Sequence, residues 1–192
     1  MIDVDIEILR VLSNTSESIF LNKKSNVARI NSINILEENE KQYLIKNIIQ
    51  PLDDAIDYLQ KDILNILMRI PIYNYFLSKE NGVNLFDAAQ LISIMVDINN
   101  FDKFDNLLSY AGFTPNALNY NKKLHKLLLR IGYKLIQQNQ KYQFIYELHF
   151  DKYKRKYPRY NNAHIKNMAK RMVVKRFLKN LYIHWKSVDK NF

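Results

Sequence analysis

A chain of 192 residues, 47% apolar and 25% charged, has enough hydrophobic material for a core and too much for wholesale disorder. Three glycines, four prolines and no cysteine exclude a disulfide framework, thiolate metal sites and thiol catalysis, and they favour long helices over a turn-rich all-β fold. The net charge of +10 is unevenly spread: residues 1–115 hold 10 Lys and Arg against 16 Asp and Glu, a net of −6, while residues 116–192 hold 19 against 3, a net of +16.

Self-repulsion opposes compaction of a segment so basic, so the excess points to an anionic partner, first of all the phosphates of nucleic acid. A merely solvated basic face and a membrane surface are the competing readings. No run approaches about 18 apolar residues, so no transmembrane helix is expected. The start, Met1-Ile2-Asp3-Val4-Asp5, is acidic rather than positive, unlike a secretory leader. With the lack of cysteine, this fits an intracellular, cytoplasmic protein.

In chain order, Ile6, Ile8, Leu9 and Leu12 suit either a short strand or a helix, and the polar stretch Ser13 to Asn26 reads as loop. Residues 1–40 thus form a segment of uncertain structure. Glu37, Glu38 and Glu40 then favour a helix start, where the helix dipole stabilises acids. Leu52, Ile56, Leu59, Ile63, Ile66 and Ile70 alternate spacings of four and three, with Ile45 and Ile49 upstream, so residues 41–71 are predicted as a long heptad helix. Pro51 starts or kinks that helix and Pro71 ends it. The seam either pairs two protomers as a homodimer through residues 45–70 or packs on its own domain.

Residues 72–192 are predicted as a helical nucleic-acid-binding domain, so the fold class is all-α. A helix carrying Leu85, Ala88, Ala89, Ile92 and Val96 follows the turn Gly82-Val83-Asn84, and a short one runs over Phe101 to Tyr110, stopped by Gly112 and Pro115. From Asn121 to Gln137, Leu124, Leu127, Leu128, Ile131 and Leu135 make an apolar face, while Lys123, Lys126, Arg130 and Lys134 make a cationic ridge. Such a ridge repels itself by a few tenths of a kcal/mol per pair, roughly, unless an anion lies along it. Lys141 to Tyr157 interleaves Tyr142, Phe144, Tyr146, Phe150 and Tyr153 with Lys152, Lys154, Arg155 and Lys156 until Pro158 breaks it. The last helix begins at Asn161 and carries Val174, Phe177, Leu178, Leu181 and Trp185 on one side.

The acids Asp53, Asp54 and Asp57, and Asp97, Asp102 and Asp105, lack a neighbouring histidine and read as helix-surface charges rather than metal ligands. His125, His149, His164 and His184 have no metal-ligand spacing. No phosphate-binding loop, dinucleotide fingerprint or nucleophile elbow is present, so the residues nominate no enzyme, metal or cofactor. A glycine turn between helices, as at Gly82-Val83-Asn84, is compatible with a helix–hairpin–helix unit, whose backbone N–H groups hold phosphate without reading sequence.

The run Gly82-Val83-Asn84, Ala88-Ala89, Asp97, Phe104 and Tyr110-Ala111-Gly112-Phe113-Thr114-Pro115 resembles the C-terminal half of the DEDD-type insertion-sequence transposases related to the Piv invertase, some of them guided by a bridge RNA. Asn121-Lys122-Lys123-Leu124, the stretch Ala163 to Arg171 and Val174-Lys175-Arg176-Phe177-Leu178 extend the resemblance, which covers roughly residues 40–187. It implies DNA or structured-RNA binding in recombination and transposition. Residues 1–40 are too short for that family's metal-binding nuclease-like domain. No serine lies between Pro115 and Lys126, and Asn119, near its place, cannot form a phosphoserine link.

The resemblance therefore implies a catalytically inactive relative. Gly82, Val83, Asn84, Lys123, Lys126, Arg130, Lys134, Lys152, Arg155, Arg159, His164, Lys170, Arg171 and Lys175 are its expected nucleic-acid contacts. Tyr153, Tyr157 and Tyr160 suit either base stacking or core packing. The alternatives are a subunit of a split, active transposase and a helical dimeric protein binding an acidic partner.

Overall fold

In the computed structural model, which describes residues 2–115 and 118–190, the chain is all-α, with no strand among the described residues. Nine α-helices are described: α1 Ile2–Ser32, α2 Glu38–Leu44, α3 Gln50–Leu67, α4 Pro71–Tyr75, α5 Leu85–Met95, α6 Phe104–Tyr110, α7 Lys122–Gln138, α8 Gln140–Lys156 and α9 Asn162–Asp189. None of the described helices is long and apolar enough to cross a membrane.

The N-terminal segment corrects the sequence reading. Ser13 to Asn26 is not a loop but the middle of α1. In its first half the inward positions are Ile6, Leu9, Ser13 and Ser16, all buried and spaced three, four and three, and Ile30 is buried near its end. Two of these four seam positions are serine, which hides the period from a hydrophobicity scan. Inside the helix the hydroxyls are satisfied locally: Ser13 donates to the Arg10 carbonyl at 3.2 Å and Ser16 to that of Leu12 at 2.7 Å.

Helix α1 runs antiparallel to α3. Arg69 grips Asp5 with two bonds of 2.7 and 3.2 Å at one end, and Lys23 pairs with Asp53 at the other. The Arg69 guanidinium also holds the Asp5 carboxyl below the usual carboxylate range. The heptad seam residues Ile56, Ile63, Ile66 and Ile70 are buried, so within the chain the seam packs on its own domain. Pro51 stands in the first turn of α3, as expected of a helix start, although helical geometry continues upstream of it. A π-helical turn, Ile45–Ile49, joins α2 to α3, and the Gln50 N–H reaches back to the Ile45 carbonyl just before the proline that has no N–H to offer.

Helix α5 is the centre of the molecule, buried from Asp87 to Ser93 and at Met95. It ends sharply at Val96, where φ is +62° and ψ −70°, and the Asp97 N–H bonds the Met95 carbonyl at 2.7 Å. That is the tight γ-turn geometry, strained for a β-branched residue. One contiguous apolar cluster then takes Ile6 and Leu9 from α1, Ile63 to Ile70 from α3 and the turn after it, and Leu128, Tyr142, Phe177 and Trp185 from α7, α8 and α9.

Asparagines punctuate this fold. Asn84, Asn121, Asn139 and Asn161 each cap the helix that follows, accepting a backbone N–H on the side-chain oxygen. Each such cap contributes about 1 kcal/mol.

Candidate nucleic-acid interface

The expected contact residues fall on the α7 ridge, at the Gly82 turn packed against it, and on α8 and α9. On the α7 ridge, the anion that the stripe demands is supplied from within. Asp87 of α5, buried to 2% side-chain exposure, accepts from Arg130 at 3.0 Å and from Lys134 at 2.6 Å. Arg130 also donates to Gln90 at 2.7 Å, and Gln90 donates to Glu17 of α1 at 3.1 Å. Lys123 donates to Asn14. Arg130 and Lys134 are therefore committed to joining α1, α5 and α7, while Lys126 stays exposed and without an ion pair among the described residues. Asp87, Gln90 and Glu17 are the partners a reading of the stripe alone misses.

The hairpin of the sequence reading takes a different form. The element before Gly82 is only the five-residue α4 and a 3₁₀ turn, Leu77–Lys79. Gly82 itself is buried, with φ +106°, and a Cβ there would lie 2.9 Å from the Leu135 backbone of α7. Close approach to α7 and left-handed geometry thus account for this glycine. Val83 packs on the core, and the exposed Asn84 spends its side chain on the Asp87 N–H at 2.8 Å. Gly82→Ala is expected to cost roughly 2–5 kcal/mol, adding backbone strain to overpacking, as read from urea unfolding midpoints.

The run Tyr110 to Pro115 is similarly absorbed by packing. Phe113 is buried and stacks on His125 at 4.7 Å, with the Arg171 guanidinium 5.4 Å from its ring centroid. Arg171 also donates to the Gly112 carbonyl at 3.3 Å, and His125 Nδ1 lies 2.9 Å from the Ala111 carbonyl. The Asn121 amide donates to the Tyr110 hydroxyl at 2.7 Å. Asn119 is exposed.

The third place is the α8–α9 hairpin, where Arg155 donates to the Asp151 carbonyl and Lys156 lies over the Tyr157 ring, but where no cation meets a carboxylate among the described residues. Residues 151–166 contain Lys152, Lys154, Arg155, Lys156, Arg159 and Lys166 against a single acid, Asp151. All six cations are exposed, and among the described residues none has an ion-pair partner. Lys154, Arg155 and Lys156 complement the carbonyl end of α8, which is reason enough for three of them. Helix dipoles do not account for Lys152, Arg159 or Lys166.

A run of aromatic contacts crosses the same tip. Tyr153 meets Tyr157 at 6.3 Å, Tyr157 stacks on Tyr160 at 5.1 Å and 10°, and Tyr160 meets His164 edge-on at 4.9 Å. The Tyr160 N–H to Tyr157 carbonyl bond of 3.0 Å closes the turn around Pro158, and Asn161 caps α9 through the His164 N–H at 2.7 Å. Tyr160 remains 49% exposed. Farther along α9, Lys170 lies 5.2 Å from the Tyr133 ring centroid and Lys175 is half-buried.

Below the tip, His149 has a buried Nδ1 with no hydrogen-bond partner among the described residues. Burial, then the charges of Lys152 and Arg176, lower its pKa below the ordinary 6.5. As pH falls below about 6.5, the unfolded chain therefore takes a proton that the folded one refuses, and stability declines until the folded pKa is passed. The melting temperature of the wild type is expected to fall more than that of His149→Leu between about pH 7 and pH 5, where this linkage operates. Parallel curves would contradict it.

Comparison of the chain with protein-family models, with curated proteins and with solved structures found no match.

Proposed function

We propose that this protein binds nucleic acid, DNA in the first instance and structured RNA in the second, through the α8–α9 hairpin. The observation that carries the reading is the set of six exposed cations without ion-pair partners, interleaved with stacked tyrosines, on one hairpin tip. Cations with no internal counter-charge gain most from phosphate, because binding releases the counterions condensed on the polymer. Phosphate contacts come from Lys152, Lys154, Arg155, Lys156, Arg159 and Lys166. His164 and the capped start of α9 lie beside them, where the positive end of a 28-residue helix favours an anion. Lys126 belongs to a secondary patch. Arg130, Lys134 and Arg171 belong to the fold, as does the turn at Gly82.

The relation to Piv-type transposases is part of this proposal, and it rests on motifs in which Gly112, Phe113 and Arg171 also serve packing. With Asn119 in place of a nucleophile, the reading is of a protein that holds nucleic acid without joining strands. A homodimer through residues 45–70 has less in its favour, since Ile56, Ile63, Ile66 and Ile70 are already buried in the single chain.

Amide hydrogen exchange with and without a DNA duplex of about 20 base pairs tests the location. New protection over residues 150–168 is the expected result. Protection confined to α7 would refute the assignment to the hairpin.

A further inference from the structure

Beside the hairpin lies a groove of about 440 Å³, walled by Tyr133, Ile136 and Gln137 of α7, Tyr146 of α8, and Ala163, Lys166, Asn167 and Lys170 of α9. Four other cavities of the molecule each carry a carboxylate in the wall: Asp87 and Glu17, Glu80, Glu17 again, and Glu40. This groove has two lysines and no acid. Tyr133 is a large aromatic left 52% exposed, and the Lys170 ammonium lies over its ring at 5.2 Å from the centroid. The Gln137 amide donates to the Tyr133 hydroxyl at 2.9 Å. Lys166 belongs at once to the groove and to the hairpin tip, so the two surfaces are contiguous.

An exposed Tyr133, a half-buried Tyr146 whose ring already stacks on Phe150, two carboxamides able to pair with a base edge, and two cations without a competing acid match one ligand class. We infer that the groove seats a single unpaired base of a nucleic-acid strand, with Tyr133 and Tyr146 contacting the base and Lys166 and Lys170 its phosphates. A volume of this size lies within the range of small-ligand pockets. In a duplex the bases are stacked and paired, so the groove adds affinity for single strands or for loops and flipped bases. This inference rests on the proposed nucleic-acid function and extends it from phosphate holding to base contact.

The test compares fluorescence anisotropy titrations of wild type, Tyr133→Leu and Tyr133→Phe with three probes: an oligo-dT strand, its abasic counterpart and a duplex. An oligo-rU arm of equal length distinguishes RNA from DNA as the source of the base. Tyr133→Leu is expected to weaken single-strand binding by about tenfold to a hundredfold, the range for losing one base–aromatic stack. Duplex binding should stay within about twofold, which also shows that the variant is folded, and Tyr133→Phe should retain wild-type behaviour. The abasic strand should bind wild type as weakly as Tyr133→Leu binds oligo-dT. Equal losses on strand and duplex, or an unchanged strand affinity, would overturn the groove while leaving the hairpin function standing. So would a wild type that binds duplex only. A wild type that binds none of the probes would remove both.

Discussion

Replacing Lys154, Arg155, Lys156 and Arg159 together with glutamine should weaken nucleic-acid binding at least a hundredfold at about 100 mM salt, while leaving the melting temperature nearly unchanged. Each phosphate contact contributes about 0.9 to the slope of log K against log salt on duplex DNA, so the slope should become shallower by up to about 3.6. The fold should tolerate the change because all four side chains are exposed and none has an ion pair to lose. Their contribution to the α8 dipole is worth only a few tenths of a kcal/mol each at an exposed helix end, roughly. An unchanged affinity with the quadruple variant would place the phosphate contacts elsewhere.

The opposite behaviour is expected on α7. Arg130→Met with Lys134→Met leaves the Asp87 carboxylate, 2% exposed, with neither cation. Uncompensated burial of a charge costs about 3–5 kcal/mol, against at most a small gain from the added methionine packing. Adding Asp87→Leu should recover most of that loss, since the penalty belongs to the unpaired charge and not to the missing attraction. Chemical unfolding of the wild type, the double and the triple variant measures this directly. Nucleic-acid affinity of the triple variant, measured where it is folded, should stay within about threefold of wild type. A loss as large as that of the hairpin variant would return Arg130 and Lys134 to the contact surface.

These two outcomes bear on what the sequence discloses. The ridge at Lys123, Lys126, Arg130 and Lys134 is plain from spacing, and so is its need for an anion. What spacing cannot supply is that Asp87, more than forty residues earlier, lies against it once α5 and α7 pack. The α-helical class, the turn at Gly82 and the helices from α5 onward follow from periodicity and from scarce glycine and proline.

Helix α1 does not, because Ser13 and Ser16 occupy seam positions that only a partner helix reveals as buried. The passage of the chain through Pro51 turns on a π-helical turn, which leaves no signature in hydrophobic spacing. The candidate contacts look like one basic region along the chain, yet they divide in space. Arg130 and Lys134 of α7 pair with a buried carboxylate and Arg171 bonds the Gly112 carbonyl, whereas the cations of the α8–α9 hairpin have no ion-pair partner among the described residues. The tyrosines at 153, 157 and 160 form a run of ring contacts along that hairpin, tilted between the half-buried Tyr153 and Tyr157 and stacked between Tyr157 and the exposed Tyr160.

The most direct test of hairpin-mediated nucleic-acid binding is the affinity of the unmodified protein for duplex DNA across rising salt. Engagement of four to six of the hairpin cations gives a straight line of log K against log salt with a slope of about −3.5 to −5.5. A flat dependence, or no binding at about 50 mM salt where phosphate contacts are strongest, would contradict it.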